Sequence, residues 1–173
     1  FSFERQGQRP DGSQVKVAFT LAFACDALAP HIGYFVCQHH YPENFWSVTA
    51  QAHSNKASAL TEVALYAENP ADHAEFMSHF TGLRDYNATS SSINFPIRGA
   101  VHLYSKPAFE YFYGKREFSD QSQLAAFTIS VPSLDPIISG CAQHSIAYEM
   151  LHGGLVISPD AAYGVVLRFV ASV

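Results

Sequence analysis

The sequence predicts an α+β fold in which a β-α-β-β-β order occurs twice after three N-terminal strands. Three observations support this prediction. The first fifty residues read as strands, with apolar side chains at alternate positions. From residue 59 a strand is followed by a capped helix and three short strand candidates. The same order begins again at residue 124, about 65 residues further along the chain.

The three N-terminal strands are predicted to form a meander. Residues 1–7 read as the first strand, and the turn at residues 9–12 contains Pro and Gly, which supply the dihedral angles of a tight reversal. Residues 15–24 form a long half-buried strand that is apolar at every second position. A third strand at residues 32–37 leads directly into CQHHYPENFW, residues 37–46.

The first complete module begins with a strand at residues 59–67. A helix then runs from Asn69 to Gly82, because Asn at the N-cap, Pro70 at the first helical position and Gly just past the end are helix boundary signals. Three short strands are predicted to follow this helix, at residues 91–97, 99–104 and 108–113.

The second complete module begins with a strand at residues 124–131. Ser133 is predicted to cap a short helix at residues 134–143, whose apolar side chains recur at helical spacing. Three more strands are predicted after it, at residues 145–151, 154–158 and 162–171.

The domain organisation follows from this repeat. The chain opens at Phe1, within strand-like sequence, so the N-terminal meander is predicted to be the tail of a third module whose first strand and helix lie upstream. The predicted boundaries are 1–52 for this truncated module with its loop, 53–118 for the second module and 119–173 for the third. Each module is a half-covered sheet that needs a partner to bury its face.

Charge and hydropathy argue against several classes of partner. The net charge is −5 and the ten Lys and Arg residues form no run, so binding to nucleic acid is not expected. No stretch approaches the roughly 18 to 20 apolar residues of a membrane span, and no leader is recognisable. The sequence therefore predicts a soluble, cytoplasmic protein.

Cysteine and glycine patterns limit the cofactors. The three cysteines, Cys25, Cys37 and Cys141, are an odd number without Cys-x-x-Cys spacing, which argues against a disulfide framework and a structural zinc site. Reduced and mostly buried thiols are expected instead. No glycine-rich phosphate loop is present, so no nucleotide cofactor is expected.

The chain resembles the vicinal oxygen chelate superfamily, and within it the glyoxalase-like proteins. The resemblance is most specific in GYFVCQHHYPENFW at residues 33–46, followed by QAH at 51–53 and LTEVAL at 60–65. The turn at residues 9–12 and the long strand after it are similar to the same branch. The resemblance implies repeated βαβββ modules that form curved mixed sheets around a cleft, with the N-terminal module truncated.

The resemblance also implies a range of chemistry, because the superfamily includes isomerases, lyases, epimerases, dioxygenases and metal-free binding proteins. Its metal enzymes hold a divalent ion that chelates two neighbouring substrate oxygens, and Zn, Fe, Mn or Mg would suit a carboxylate ligand. Glu62 lies where many relatives place a His ligand, whereas the matching place in the next module is near Ala126. Arg168 lies where a metal enzyme would place a carboxylate, and a cation there suits an anionic ligand.

A metal site that includes the truncated module is the alternative. Strand alternation sends Gln38 and His40 to one face, and Cys37 and His39 to the other. If the first face lines the cleft, Gln38 and His40 would join Glu62 as metal ligands, with a fourth ligand from upstream. His40 and Glu62 are also the predicted catalytic residues.

Most other polar residues here have a structural interpretation. Residues 42–46 are expected to form a packed exit loop in which Asn44 satisfies backbone groups and Trp46 anchors the loop against the sheet. His73 and His79 lie among polar residues of the first helix, so they are expected to be solvated.

Two functions from different classes remain open. One is a metal-assisted lyase, isomerase or dioxygenase that binds a small oxygenated substrate through His102, Tyr111 and Arg168. The other is a non-catalytic protein that sequesters a small molecule in an aromatic cleft. Alternating rings in the predicted strand at 108–113 support such a cleft, and they fit an ordinary sheet core equally well. The cleft would be lined by Tyr104, Phe109, Tyr111 and Tyr113. In either case, pairing of modules between two chains would give a homodimer.

Overall fold

The structure, a computed structural model, describes residues 1–9 and 11–172. Pro10, part of the predicted first turn, lies outside the described residues. The chain divides into two compact units. The first comprises Phe1–Cys25 with Pro30–Ser54, and the second comprises Asp26–Ala29 with Asn55–Val173.

The first unit is built on a three-stranded antiparallel sheet, which confirms the predicted meander. Its strands are β1 (Ser2–Gln8), β2 (Gln14–Ala24) and β3 (Tyr34–His39), in that order across the sheet. A short 3-10 helix, Pro42–Asn44, and a single helical turn, α1 (Val48–Gln51), follow β3.

The exit loop after β3 is held by Asn44, as the sequence predicts, but Trp46 is largely exposed. The Asn44 side chain donates from Nδ2 to the carbonyl of Lys16 at 2.7 Å and accepts from Arg9 Nη2 at 2.6 Å. Trp46 Nε1 donates to His39 Nδ1 at 3.3 Å, although more than half of the Trp46 surface stays exposed. Hydrogen bonds of Asn44 therefore hold the loop on β2, and Trp46 covers the end of β3.

The second unit contains an eight-stranded mixed sheet. Its strands are β4 (Ala59–Tyr66), β5 (Asn87–Ala88), β6 (Ser92–Phe95), β7 (Val101–Tyr104), β8 (Gln123–Val131), β9 (Tyr148–Leu151), β10 (Gly154–Ile157) and β11 (Val166–Ala171). They lie in the order β5-β6-β7-β4-β8-β11-β10-β9. β4 and β8 pair antiparallel in the middle, and each pairs in parallel with the last strand of its own module, β7 or β11. Two β-α-β-β-β modules, which the internal repeat predicts, therefore meet along their first strands.

The helix that follows the first strand of each module begins where the sequence predicts. Asn69 accepts the backbone N–H of Ala71 at 3.3 Å, ahead of a 3-10 turn, Pro70–His73, and α2 (Ala74–Thr81). In the next module, Ser133 Oγ accepts the backbone N–H of Asp135 at 3.1 Å, at the start of helix α4 (Asp135–Gln143). These side-chain acceptors satisfy amide groups that the first helical turn leaves unpaired.

The prediction of a strand at residues 108–113 is wrong, because this segment belongs to a helix, α3 (Lys106–Tyr113). The alternate aromatic positions that favoured a strand also match a helix, since Phe109 and Tyr113 are four residues apart and share one helix face. Both rings are fully buried, whereas Tyr111 between them is 57% exposed. Gly114, at a φ of 80°, ends the helix.

The sheet of the second unit is covered differently on its two faces. Helix α4 packs on one face through Ile137 and Cys141, against a cluster that includes Val131, Leu155, Ile157 and Phe169. Helix α3 packs on the other, against a cluster that includes Ala64, Tyr66, Tyr104, Val156 and Val166. Burial of a ring such as Phe109 stabilises the fold by about 1.5–3 kcal/mol. Helix α3 is thus part of the core on the face that carries Glu62.

Candidate functional site

Glu62 lies at the centre of a polar cluster on the α3 face of the eight-stranded sheet. Its Oε1 accepts from His102 Nδ1 at 2.6 Å and from the Tyr104 hydroxyl at 2.9 Å. Its Oε2 accepts from Thr128 Oγ1 at 3.3 Å, and the Tyr113 hydroxyl lies 3.1 Å from the same Thr128 oxygen. Four secondary-structure elements therefore converge on one carboxylate, β4, β7, β8 and α3.

A β-bulge decides which way Glu62 points. In the pairing of β4 with β8, Leu60 lies opposite Ile129 and Glu62 lies opposite Thr128, so Thr61 is the extra residue. An extra residue reverses the alternation of side chains along a strand, and here it turns Glu62 towards α3. Gly99 packs against the bulge at a φ of 99°, where a Cβ atom would lie 3.2 Å from the carbonyl oxygens of Leu60 and Thr61.

The neighbours of Glu62 keep it charged and keep the tyrosines neutral. Burial alone would raise the pKa of Glu62, but the hydrogen bond and electrostatic attraction of His102 and the hydrogen bond of Tyr104 together lower it below its usual value. Burial, followed by the charge of Glu62, raises the pKa of Tyr104 and that of Tyr113 well above the usual range. The cluster therefore presents a carboxylate with two hydroxyl donors at neutral pH.

Arg168 lies on the same face, one strand beyond Thr128 on β11. Its Nη2 donates to the carbonyl of His152 at 3.1 Å, but its buried Nε has no hydrogen-bond partner among the described residues. A Cβ atom on Gly154 would lie 2.6 Å from this Nε, so only glycine leaves room for the guanidinium in this position.

A second buried polar atom near the cluster also lacks a protein partner. Asn94 on β6 lies opposite His102 on β7, and its Oδ1 has no hydrogen-bond partner in the described part of the chain. Buried polar atoms without a partner are rare in folded proteins and commonly face a water or a ligand. An unpartnered acceptor and an unpartnered donor, on Asn94 and Arg168, thus lie on strands to either side of Glu62.

The three predicted substrate-binding residues belong to two linked groups. His102 lies beside Glu62, as described. Tyr111 stacks on His152 with the ring centres 3.7 Å apart, and the carbonyl of His152 accepts from Arg168. Tyr111 therefore lies on the outer side of α3 and reaches Arg168 only through His152.

The predicted aromatic cleft is not formed by the residues named for it. Tyr104, Phe109 and Tyr113 are buried in the core beneath α3, and Tyr111 alone of the four is largely exposed. The alternation at residues 109, 111 and 113 reflects packing of a helix on the sheet.

The donor set around Glu62 does not fit a divalent metal ion. Glu62 and His102 are paired with each other, and the Tyr104 hydroxyl remains protonated. The positive charge of Arg168 acts on the tyrosines of the same cluster. No group of three or more His, Cys, Asp or Glu side chains suited to a metal occurs within residues 1–9 and 11–172.

Gln38 and His40, the other predicted ligands, belong to the first unit. Gln38 lies opposite Thr20, and His40 Nε2 lies 2.8 Å from Thr20 Oγ1 at the edge of a shallow cleft of about 370 Å³. His39 faces the other side and contacts Trp46, which confirms the predicted alternation. Because Glu62 belongs to the second unit, the set of His40, Gln38 and Glu62 stays a prediction.

The expectation that His73 is solvated is wrong. The residue is 4% exposed, with Nδ1 2.5 Å from Asp26 Oδ2 and Nε2 2.9 Å from Ser122 Oγ. Asp26 and Ser122 are 47 and 49 residues from His73 along the chain. No local pattern in the sequence marks such a distant grouping. The polar neighbours of His73 in the helix gave no sign of it.

The cysteines also differ in part from expectation. Cys141 is buried on the inner face of α4, as predicted, and burial raises the pKa of its thiol. Cys25 and Cys37 are exposed, so the prediction of mostly buried thiols is wrong for these two.

Two solved structures are similar to this chain in fold. A hypothetical protein from Staphylococcus aureus matches 99% of the chain and 55% of its own, with 10% identity and a TM-score of 0.61. Methylmalonyl-CoA epimerase from Mycobacterium tuberculosis matches 70% of the chain and 93% of its own, with 11% identity and a TM-score of 0.52. The chain has the vicinal oxygen chelate fold.

These likenesses establish the fold alone, because the sequence identities are low. The chain spans about half the length of the Staphylococcus aureus protein. No protein-family model and no curated protein matches the sequence. In the described residues, no helix is long and apolar enough to cross a membrane. The side chains on the two faces of the sheet, and not the fold, therefore determine which chemistry is available.

Proposed function

We propose that the second unit binds a small oxygenated anion beside Glu62, and that the Glu62–His102 pair transfers a proton on this molecule. One observation carries the proposal. The hydrogen-bonded Glu62–His102 pair shares a sheet face with Arg168, whose Nε has no protein partner among the described residues. A cation with an unused donor suits a carboxylate or enolate oxygen.

His102 is the proposed base. Since Glu62 Oε1 can only accept, the 2.6 Å contact requires a proton on Nδ1, and in the neutral ring Nε2 then carries the lone pair. The His102 side chain is 21% exposed and that of Glu62 is 13% exposed, so the imidazole is the more accessible of the two. Glu62 orients the ring and stabilises the imidazolium that forms when Nε2 takes a proton.

Arg168 is the proposed electrophilic group, and it would pair with the anionic end of the substrate. The Tyr104 hydroxyl, kept protonated by burial, donates to Glu62 Oε1 and lies 2.9 Å from His102 Nδ1, so it helps to hold the pair in place. A fixed cationic donor such as Arg168 stabilises negative charge that develops on oxygen when a neighbouring carbon loses a proton. The reaction class supported best is therefore proton transfer at a carbon beside a carbonyl, as in isomerases and some lyases.

Solvent deuterium exchange tests this proposal directly. With 2-oxobutyrate in D₂O, the wild-type chain is expected to accelerate loss of the C3 proton signals by ¹H NMR. His102→Gln and Glu62→Gln should each reduce the acceleration about 100-fold, the usual scale of general-base catalysis. Arg168→Gln should raise the concentration needed for half-maximal rate, and Arg98→Gln serves as a control on an exposed arginine.

Two results would contradict the proposal. If the wild-type chain exchanges the proton only at the buffer rate, it does not catalyse proton transfer. If accelerated exchange persists in His102→Gln, His102 is not the base. Saturable binding of 2-oxobutyrate without exchange would instead support the non-catalytic alternative.

The metal-assisted version of the enzyme depends on His40, Gln38 and Glu62 together. It predicts one zinc, iron, manganese or magnesium ion per chain by elemental analysis, and loss of that ion in both His40→Ala and Glu62→Ala. Absence of stoichiometric metal, or metal uptake that is unchanged in both variants, would overturn it.

A homodimer and a cytoplasmic location belong to the same proposal. Sedimentation would test the homodimer, and cell fractionation would test the location.

A further inference from the structure

Asp26, His73 and Ser122 form a continuous hydrogen-bonded line away from the Glu62 cluster. Asp26 Oδ2 lies 2.5 Å from His73 Nδ1, and His73 Nε2 lies 2.9 Å from Ser122 Oγ. This is the order of contacts that activates a serine hydroxyl in acyl-transfer enzymes. We infer that these residues form a second active site in which Ser122 is the nucleophile and the substrate is a small ester with a positive charge.

The proton positions follow from the partners. The carboxylate of Asp26 can only accept, so Nδ1 of His73 carries the proton in this contact. Nε2 of the neutral ring then accepts the Ser122 hydroxyl proton. His73 can therefore act as a base towards Ser122, and Asp26 is the positioning residue that fixes the imidazole and stabilises its cation.

The base and the positioning residue are held rigidly. Asp26 Oδ1 accepts the backbone N–H of Leu28 at 2.9 Å, and the Asp26 carbonyl accepts the N–H of Ala29 at 3.1 Å. Asp26 and His73 are 3% and 4% exposed. His73 ends the 3-10 turn before α2, and Ser122 directly precedes β8. Three separate segments thus present the three side chains, while Ser122 remains partly accessible.

A cleft of about 200 Å³ adjoins His73 and Ser122. Its lining residues include Leu28, Asn69 and Gln121, together with the acidic residues Glu68, Asp72 and Asp120. Three acidic residues around so small a space favour a cationic molecule and disfavour an anionic one. An ester of a quaternary ammonium alcohol matches both the size and the charge of the cleft.

The proposed reaction has two steps. Ser122 Oγ bonds to the ester carbonyl carbon while its proton passes to His73 Nε2, and the carbon–oxygen bond to the alcohol then breaks as Nε2 returns that proton to the leaving oxygen. Water next attacks the acyl-serine and gives its proton to Nε2, which protonates Ser122 Oγ as the acid is released. Water is the only co-reactant.

Covalent labelling tests the nucleophile. Diisopropyl fluorophosphate is expected to add one diisopropylphosphoryl group per chain, with loss of fluoride, and peptide mapping should place it on Ser122. Labelling should disappear in Ser122→Ala and persist in Ser119→Ala, a matched change in the same loop. A folded His73→Gln variant should react at least about 100-fold more slowly.

A structural hydrogen-bond network would hold the three segments together without this reactivity. Ser122 unlabelled after prolonged incubation, or labelled as fast in folded His73→Gln as in wild type, would overturn the assignment. If His73→Gln does not fold, the pH profile of wild-type labelling replaces it, and a rate that does not fall on acidification would overturn the assignment equally.

The charge of the substrate is tested with an isosteric pair. Acetylcholine and 3,3-dimethylbutyl acetate differ mainly in the positive charge of the alcohol. Acetylcholine is expected to be hydrolysed at least about tenfold faster than 3,3-dimethylbutyl acetate. The double variant Asp120→Asn, Glu68→Gln should have a smaller ratio of these two rates. Equal rates for the two esters would overturn the cationic substrate class. Arg98→Gln, a change at an exposed arginine outside both sites, should leave both rates unchanged. Ester hydrolysis is measured here and deuterium exchange is measured at Glu62, so the failure of one site is distinguishable from the failure of the other.

Discussion

The carboxylate of Glu62 lies 2.6 Å from Nδ1 of His102, a residue 40 positions further along the chain. The first strand of a module supplies the acid, and the parallel last strand of the same module supplies the imidazole. Thr128, from the first strand of the next module, donates to the same carboxylate. The site is therefore assembled by the pairing of two modules, and neither module holds all of its groups.

Glu62→Gln is expected to change how stability depends on pH. The folded pKa of Glu62 is lowered from the model-compound value of 4.5, so its stabilising contribution is fully present above pH 4.5 and is lost as pH falls through the folded pKa. The urea concentration at the unfolding midpoint of wild type should therefore fall below pH 4.5. The midpoint of Glu62→Gln should fall less over the same pH range. Glu68→Gln, an exposed carboxylate, is the control, and equal slopes in wild type and Glu62→Gln would contradict the prediction.

Gly154→Ala is expected to displace Arg168. The new methyl group would lie 2.6 Å from Arg168 Nε, too close for any real contact, so the guanidinium must shift. We expect binding of 2-oxobutyrate to weaken at least about tenfold, because the donor leaves its place, and stability to fall by about 1–3 kcal/mol from overpacking. Isothermal titration and urea unfolding would measure the two effects.

Gly140→Ala provides the matched control for Gly154→Ala. Gly140 lies within α4, and a Cβ atom there would meet no atom within 4 Å. Alanine should therefore stabilise the chain by about 0.5–1 kcal/mol through helix propensity, without effect on the Glu62 cluster. A similar loss of binding in both variants would show that Gly154→Ala acts through something other than Arg168.

Helices whose ends are marked by capping residues were the most predictable part of the fold. Asn69, Pro70 and Gly82 bracket a helix in the sequence and in the structure, because capping depends on neighbouring residues alone. The segment at 106–113 was not predictable in the same way. Phe109 and Tyr113 fit period two and helical spacing equally well, and only packing against the sheet decides between them.

The cluster around Glu62 contains residues that the sequence names, but its contacts could not be predicted, and its role stays a proposal. Resemblance pointed to Glu62 and Arg168, and alternation left the facing of His102 undecided. The bulge at Thr61, which turns Glu62 towards His102, leaves no mark in a single sequence, since a one-residue shift of register changes no composition. Likewise, no pattern in the chain joins His73 to Asp26 and Ser122.

Phe109→Ala and Tyr111→Ala together distinguish a helix from a strand at α3. In a strand the two residues would share a face, so their substitution by Ala would lower the free energy of unfolding by similar amounts. In α3 Phe109 is fully buried and Tyr111 is 57% exposed, so we expect a loss of about 3–5 kcal/mol for Phe109→Ala and less than about 1 kcal/mol for Tyr111→Ala. Urea unfolding measures both, and equal losses would contradict the helical assignment.

Asn44→Ala is expected to loosen the exit loop after β3. Its side chain makes two hydrogen bonds, to the Lys16 carbonyl and from Arg9, and their loss should cost about 1–3 kcal/mol. Trp46 is the single tryptophan of the chain, two residues away, so its fluorescence emission reports on the loop. We expect a red shift in Asn44→Ala and none in Glu43→Ala, the exposed neighbour. Unchanged emission in both variants would show that contacts of Trp46 with His39, and not Asn44, hold the loop in place.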